Sequence, residues 1–173
     1  MHDSRIFYLK RILQISLAFI PACMGILAFT NNITDWNGTM DRVVLPLLSM
    51  VDNKAYLTQG WRAVNGQLLP GIIYGFVTAL ELLMGLVAAC GAIGMIWYRN
   101  HPFTEFRKFR NIACLACMLG VFIYCFIFFT LGGDWFLSWK NEDLLFLQGD
   151  SLNYATVLAI VFLCLHFSAE EAG

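Results

Sequence analysis

Four long apolar blocks, broken by almost no charge, constrain this chain more than any motif in it. They run from about Ile12 to Phe29, from Leu69 to Tyr98, from Ile112 to Leu131 and from Leu152 to Phe167. A helix that crosses a bilayer needs about 20 mostly apolar residues. The first three blocks reach that length. The fourth has 16 residues, about 24 Å of helix against roughly 30 Å of hydrocarbon. It crosses if Asn153 and Tyr154 start it among the headgroups, or if the bilayer thins around it. Composition agrees: of 173 residues, 59% are hydrophobic and 13% charged, where soluble domains hold about 45–50% and roughly 25%. The expected architecture is an all-α membrane protein: one domain, a four-transmembrane-helix bundle with an outer loop carrying short interfacial helices. The expected spans are about 9–29, 70–98, 111–131 and 152–167, with outer loops 30–69 and 132–151 and a cytoplasmic turn 99–110. A formal net charge of −1 gives no reason to expect a nucleic-acid partner.

The first block has a basic start (Arg5, Lys10, Arg11) and a faint lipoprotein-like box at Ile20-Pro21-Ala22-Cys23. Its apolar run continues past Cys23 to Phe29, beyond the roughly 7–15 residues of a signal h-region, so an anchor is expected rather than a cleaved signal. Basic residues then set the expected orientation. The N-terminal segment and the 99–110 connection together carry seven of the eleven Lys and Arg residues. The much longer loops hold only Arg42, Lys54, Arg62 and Lys140, along with seven of the twelve acids. The positive-inside rule puts both termini in the cytoplasm.

Four of the five tryptophans, Trp36, Trp61, Trp135 and Trp139, fall on the outer side by this reading. Trp135 and Trp139 follow Gly132-Gly133, which is expected to let the chain leave its helix, and share one helical face. Indoles at headgroup level, forming an aromatic belt, account for this placement. A functional alternative joins Asp35, Trp36, Trp61, Arg62, Asp134, Trp135 and Trp139 into one outer pocket or docking surface. The apolar stretch Asp41–Val51, broken by Pro46, and Asp143–Gln148 are too short to span and are expected to lie in the interface.

Inside the spans the sharpest signal is Glu81. An ionised carboxylate at mid-membrane costs about 2.5–3.5 kcal/mol on insertion scales, so it must face the bundle, hold a proton or find a donor. No Lys or Arg lies in another span, which leaves a hydroxyl, an amide, or Arg62 reaching down. It borders a stripe of small residues (Gly71, Gly75, Thr78, Gly85, Ala89, Ala92), of which Gly71 and Gly75 form a small-xxx-small pair suited to close helix approach. Either a functional intramembrane acid or an interhelical hydrogen bond fits.

All six cysteines lie in the expected spans. Cys90, Cys114, Cys117 and Cys164, near His166, are conceivable metal ligands, but structural zinc and iron–sulfur ligands come in tight paired motifs, and small packing residues are the plainer reading. Of three histidines, His2 and His101 lie in aqueous segments, so haem ligation is not expected; no phosphate loop or hydrolase motif appears, and no cofactor is called for. Asn32-Ile33-Thr34 and Asn37-Gly38-Thr39 match the glycosylation pattern, which matters only on a eukaryotic secretory route.

The order of motifs "NNITDW" (Asn31–Trp36), "LLSM" (Leu47–Met50), "WRA" (Trp61–Ala63), Glu81, "FRKFR" (Phe106–Arg110) and "GGDWFLSW" (Gly132–Trp139) resembles a bacterial family of predicted small integral membrane proteins, a domain of unknown function. The likeness covers about residues 5–167. It implies four spans in a bacterial inner membrane and supplies no activity, substrate or cofactor. The leading functional expectation is a non-catalytic accessory or stabilising subunit of a larger membrane complex, in contact with lipid and other subunits. The rivals are a small transporter or channel using Glu81 as a proton or cation site, and a quinone- or lipid-reactive enzyme using Arg62, Asp134 and the outer tryptophans.

Overall fold

The first apolar block grows into α1 (His2–Thr34), longer than its hydrophobic run because the polar Asn31 and Asn32 continue the helix. The computed structural model describes residues 2–51 and 56–168; Asp52, Lys54 and the acidic pair Glu170-Glu171 lie outside the described residues. After a break at Asp35, three helical pieces follow: α2 (Trp36–Thr39), a π-helical turn (Met40–Val44) and α3 (Leu45–Ser49). Pro46 sits in the first turn of α3, where its missing N–H costs nothing. Met40, Leu48 and Met50 turn inward from these pieces. The short α4 (Tyr56–Gln59) runs into a 3₁₀ turn, Gly60–Arg62, and the Val64 N–H donates to the Leu48 carbonyl (2.8 Å), stapling the second half of the loop to α3.

The remaining spans are α5 (Leu68–Trp97), α6 (Phe103–Val121) and α7 (Phe146–His166). Three boundaries differ from those expected. The 99–110 turn shrinks to residues 98–102, because Pro102 starts α6 at Phe103 and "FRKFR" lies in its opening turns. The Gly132-Gly133 pair does not end the third span: the chain continues as a π-helix from Phe122 to Trp135 and leaves only at Leu137, in a left-handed conformation (φ 58°). Gly133 instead presses against the Gln148 side chain, so its bareness serves packing. The fourth span is not short: α7 has 21 residues, about 32 Å, because it starts at Phe146 and carries Asp150 on an exposed side. Asp143–Gln148 is therefore no separate interfacial helix; it divides between a 3₁₀ turn (Glu142–Leu144) and the first turn of α7.

Helix α1 packs on α5, α5 on α6 and α6 on α7, with α7 touching α1 to close the ring. Helix α5 is the spine: 44% of its most apolar window is buried, against 28% for the first and last spans. Lipid tails are as apolar as leucine, so such helices associate through close van der Waals contact and small residues. The tightest crossing joins α1 and α5 backbone to backbone. A Cβ on Gly25 would lie 2.5 Å from the Glu81 carbonyl oxygen, and one on Gly85 2.7 Å from the Ile26 nitrogen. Gly91 meets the backbone of Ala113 in the same way, and Gly120 holds Leu158 and Met84. The interior is correspondingly fine-grained, with Ala18, Ala22, Ala88, Ala92, Ala113 and Ala116 among its fully buried members.

Candidate functional site: a buried carboxylate joining three helices

Glu81 sits near the middle of α5 and is 3% exposed. Side chains on a helix lean toward its N-terminus, so the carboxyl reaches toward the end of the bundle that carries the two long loops, the loop end. There Asn32 Nδ2 donates to Oε2 (2.7 Å) and the Tyr124 hydroxyl to Oε1 (3.2 Å). Asn32 comes from the last turn of α1 and Tyr124 from the π-helical stretch after α6, so one carboxyl ties three segments. One layer further out, the Tyr74 hydroxyl donates to the Asn32 carbonyl (3.2 Å), and Trp36 lies on the Tyr74 ring with centroids 4.4 Å apart. Thr78 occupies the α5 face between Tyr74 and Glu81 and is buried. Tyr154 of α7 packs on the Tyr124 ring at 5.1 Å. Among the described residues no cation pairs with Glu81. Of the donors the sequence offered, the hydroxyl and the amide meet it, while Arg62 is engaged elsewhere.

The stripe of small residues beside Glu81 divides by use. Gly71 has no atom within 4 Å of an added Cβ, and Gly75 faces only the Trp36 ring at 3.5 Å. The close approach expected at that pair lies further along the helix, at Gly85, because α1 crosses there through Gly25. Ala89 is half-buried and Ala92 fully so.

The seven loop-end residues do not form one pocket. Asp35 pairs with Arg42 at the surface (2.7 Å), and Trp36 belongs to the Tyr74 layer. Trp61, Arg62 and Trp135 do come together: the guanidinium lies 5.2 Å from one indole and 4.9 Å from the other, and Nη1 donates to the Trp135 carbonyl (3.3 Å). Lys140 covers Trp139 at 4.9 Å, and Asp134 is exposed. The loop-end groove of about 590 Å³ is lined by Gly38, Thr39, Arg42, Val43, Asp143 and Phe146, none of them among the seven.

Two functional-looking residues escaped the sequence reading because they counted only as topology signals. Arg11, 2% exposed, donates through Nη1 to the carbonyls of Arg99 and His101 (2.7 Å each) and lies over the Phe106 ring at 4.8 Å. Arg110, also buried, donates to the Ser168 carbonyl (3.2 Å). Arg11 thus answers two carbonyls of the turn between α5 and α6, and Arg110 a carbonyl two residues beyond α7. The available signal was position: each abuts an apolar block, Arg11 directly before Ile12.

The cysteines do not converge. Cys114 and Cys117 are buried in the core, while Cys90 and Cys164 are exposed on the flanks. Among the described residues no three His, Cys, Asp or Glu side chains gather as a metal site would require.

Among the described residues, four helices long and apolar enough to cross a membrane, with flanks such as Ile72, Leu83 and Ile93 left exposed, define a multi-pass integral membrane protein whose sides face lipid. The chain belongs to the family of predicted small integral membrane proteins, DUF2165, which it matches over residues 10–168. No curated protein and no solved structure matches it.

Proposed function

We propose that the chain is a non-catalytic accessory or stabilising subunit of a larger membrane assembly, seated in a bacterial inner membrane with both termini cytoplasmic. The observation that carries this reading is the use made of its buried polar groups. Both oxygens of the intramembrane carboxyl group accept hydrogen bonds from the chain's own Asn32 and Tyr124, and two buried guanidiniums bond backbone carbonyls between or beyond the helices. These three side chains hold helices and turns together. The orientation draws on the exposed cations Lys10, Arg99, Arg107 and Lys108, which gather at the end where α1 begins and α5 meets α6. Extraction in mild detergent should recover the chain in a heavier assembly; recovery solely as a free monomer or self-oligomer counts against the reading. Accessibility labelling that placed residues 98–102 outside the cell would reverse the orientation.

A second reading, Glu81 as the proton or cation site of a small transporter, is favoured by one feature: the buried Thr78 hydroxyl lies between Glu81 and Tyr74 on the face that leads to the loop end. It requires that Glu81→Gln abolish a flux in proteoliposomes while the variant still folds. A flux unchanged by that substitution removes it.

A further inference from the structure

We infer that Arg62, clasped by Trp61 and Trp135, binds the phosphodiester of a membrane phospholipid. A guanidinium carries five N–H donors and a charge that is not titrated away. Here one nitrogen has an acceptor, the neutral Trp135 carbonyl, and Nε is buried without one. Among the described residues no carboxylate pairs with Arg62, whereas Arg42 at the same end has Asp35. Among the described residues this cation is thus positioned while its charge and its outward donors stay unanswered. The positioning is specific. The two indoles meet edge to face, centroids 5.7 Å apart, and hold the guanidinium by cation–π contact. A planar fork presented this way matches two oxygens of a phosphate.

The height of the site selects the source of that phosphate. Trp135 is the last helical residue of the third span, and Arg62 precedes α5 by six residues, so the fork lies where headgroups lie. From the same end a lipid-facing ridge descends α5 through Leu68, Leu69, Ile72 and Phe76, all exposed. A phospholipid bound by its phosphate can lay its acyl chains along that ridge; a soluble anion gains nothing from it. Trp61, 72% exposed, is the outer wall and is free to cover the headgroup.

The test uses the full chain, delipidated in a neutral maltoside detergent and titrated with dihexanoyl-phosphatidylglycerol, with bound ligand counted by native mass spectrometry. Inorganic phosphate and dihexanoylglycerol form the comparison arms. We expect saturable binding of the phospholipid, weakened about ten-fold by Arg62→Gln and about three-fold by Trp61→Ala. Because Trp61 is exposed, Trp61→Ala keeps the test decisive should Arg62→Gln fail to fold. Equal binding of dihexanoylglycerol overturns the phosphate assignment, as does full affinity in either variant. Inorganic phosphate saturating the site at the same concentration makes it a soluble-anion site and overturns the lipid assignment.

Discussion

The two ends of this bundle solve the same problem in opposite ways. At the turn end, where α1 begins and residues 98–102 reverse the chain, cations go inside: Arg11 and Arg110 are buried and answered by backbone carbonyls of residues between or beyond the helices. At the loop end, among the described residues, the buried charge-bearing group is an acid, Glu81, answered by neutral donors, and the cations Arg62 and Lys140 stay near the surface against indoles. The lesson concerns what a membrane helix can offer. A turn between helices presents backbone carbonyls outside the helical ladder, a ready-made site for a guanidinium. Mid-helix presents none, so a carboxyl there must borrow side-chain donors from neighbours. The turn end is therefore held by strong charge-assisted bonds, and the loop end by several weaker ones.

The largest effect should come from the crossing that separates the two ends. Gly85→Leu drives a side chain into the backbone of Gly25 and Ile26, and we expect a loss of about 3 kcal/mol or more, read from unfolding in mixed micelles by circular dichroism. Gly71→Leu, in open space at the loop end, should change stability by less than about 0.5 kcal/mol. Equal losses would show that the crossing is not the keystone. Next comes Arg11→Gln, which removes a guanidinium from two carbonyls and should cost about 2–3 kcal/mol. Arg62→Gln, at the opposite end with one 3.3 Å bond, should cost less than about 1 kcal/mol. Matching costs at the two arginines would erase the contrast between the ends. Glu81→Leu falls between them: it strands the Asn32 and Tyr124 donors in a dry interior, at about 2 kcal/mol.

What the sequence made legible follows the same division. Spans were readable because hydropathy sums over many residues, and a bundle of four followed. The interior acid was readable because charge in an apolar run is conspicuous. Its principal donor was not, since hydropathy ends the first span at Phe29 while the helix runs to Thr34 and brings Asn32 back over Glu81. The start of α7 was hidden likewise, Asp150 and Gln148 having the look of a loop although both are helical. Glycines were counted without knowing their neighbours, so Gly71 and Gly75 drew notice and Gly25, a lone glycine in α1, did not. Arg11 and Arg110 were counted as topology signals because no one-dimensional pattern places a carbonyl at their tips.

The smallest effect is also the most discriminating. Tyr124→Phe keeps the ring against Tyr154 and deletes the hydroxyl that donates to Glu81 at 3.2 Å. Hydrogen bonds between membrane helices average about 0.6 kcal/mol in double-mutant cycles, because the separated helices find other partners. We expect that value for Tyr124→Phe, and a coupling of similar size when it is combined with Glu81→Gln. A coupling near zero would mean that Glu81 is held by Asn32 alone, leaving the third span untied at this level. A coupling well above about 2 kcal/mol would mean that the carboxyl is charged and leans on the tyrosine as a principal donor. In that case the loop end, like the turn end, would be held by ionic hydrogen bonding, and the two ends would differ in the sign of the charge rather than in the strength of the bond.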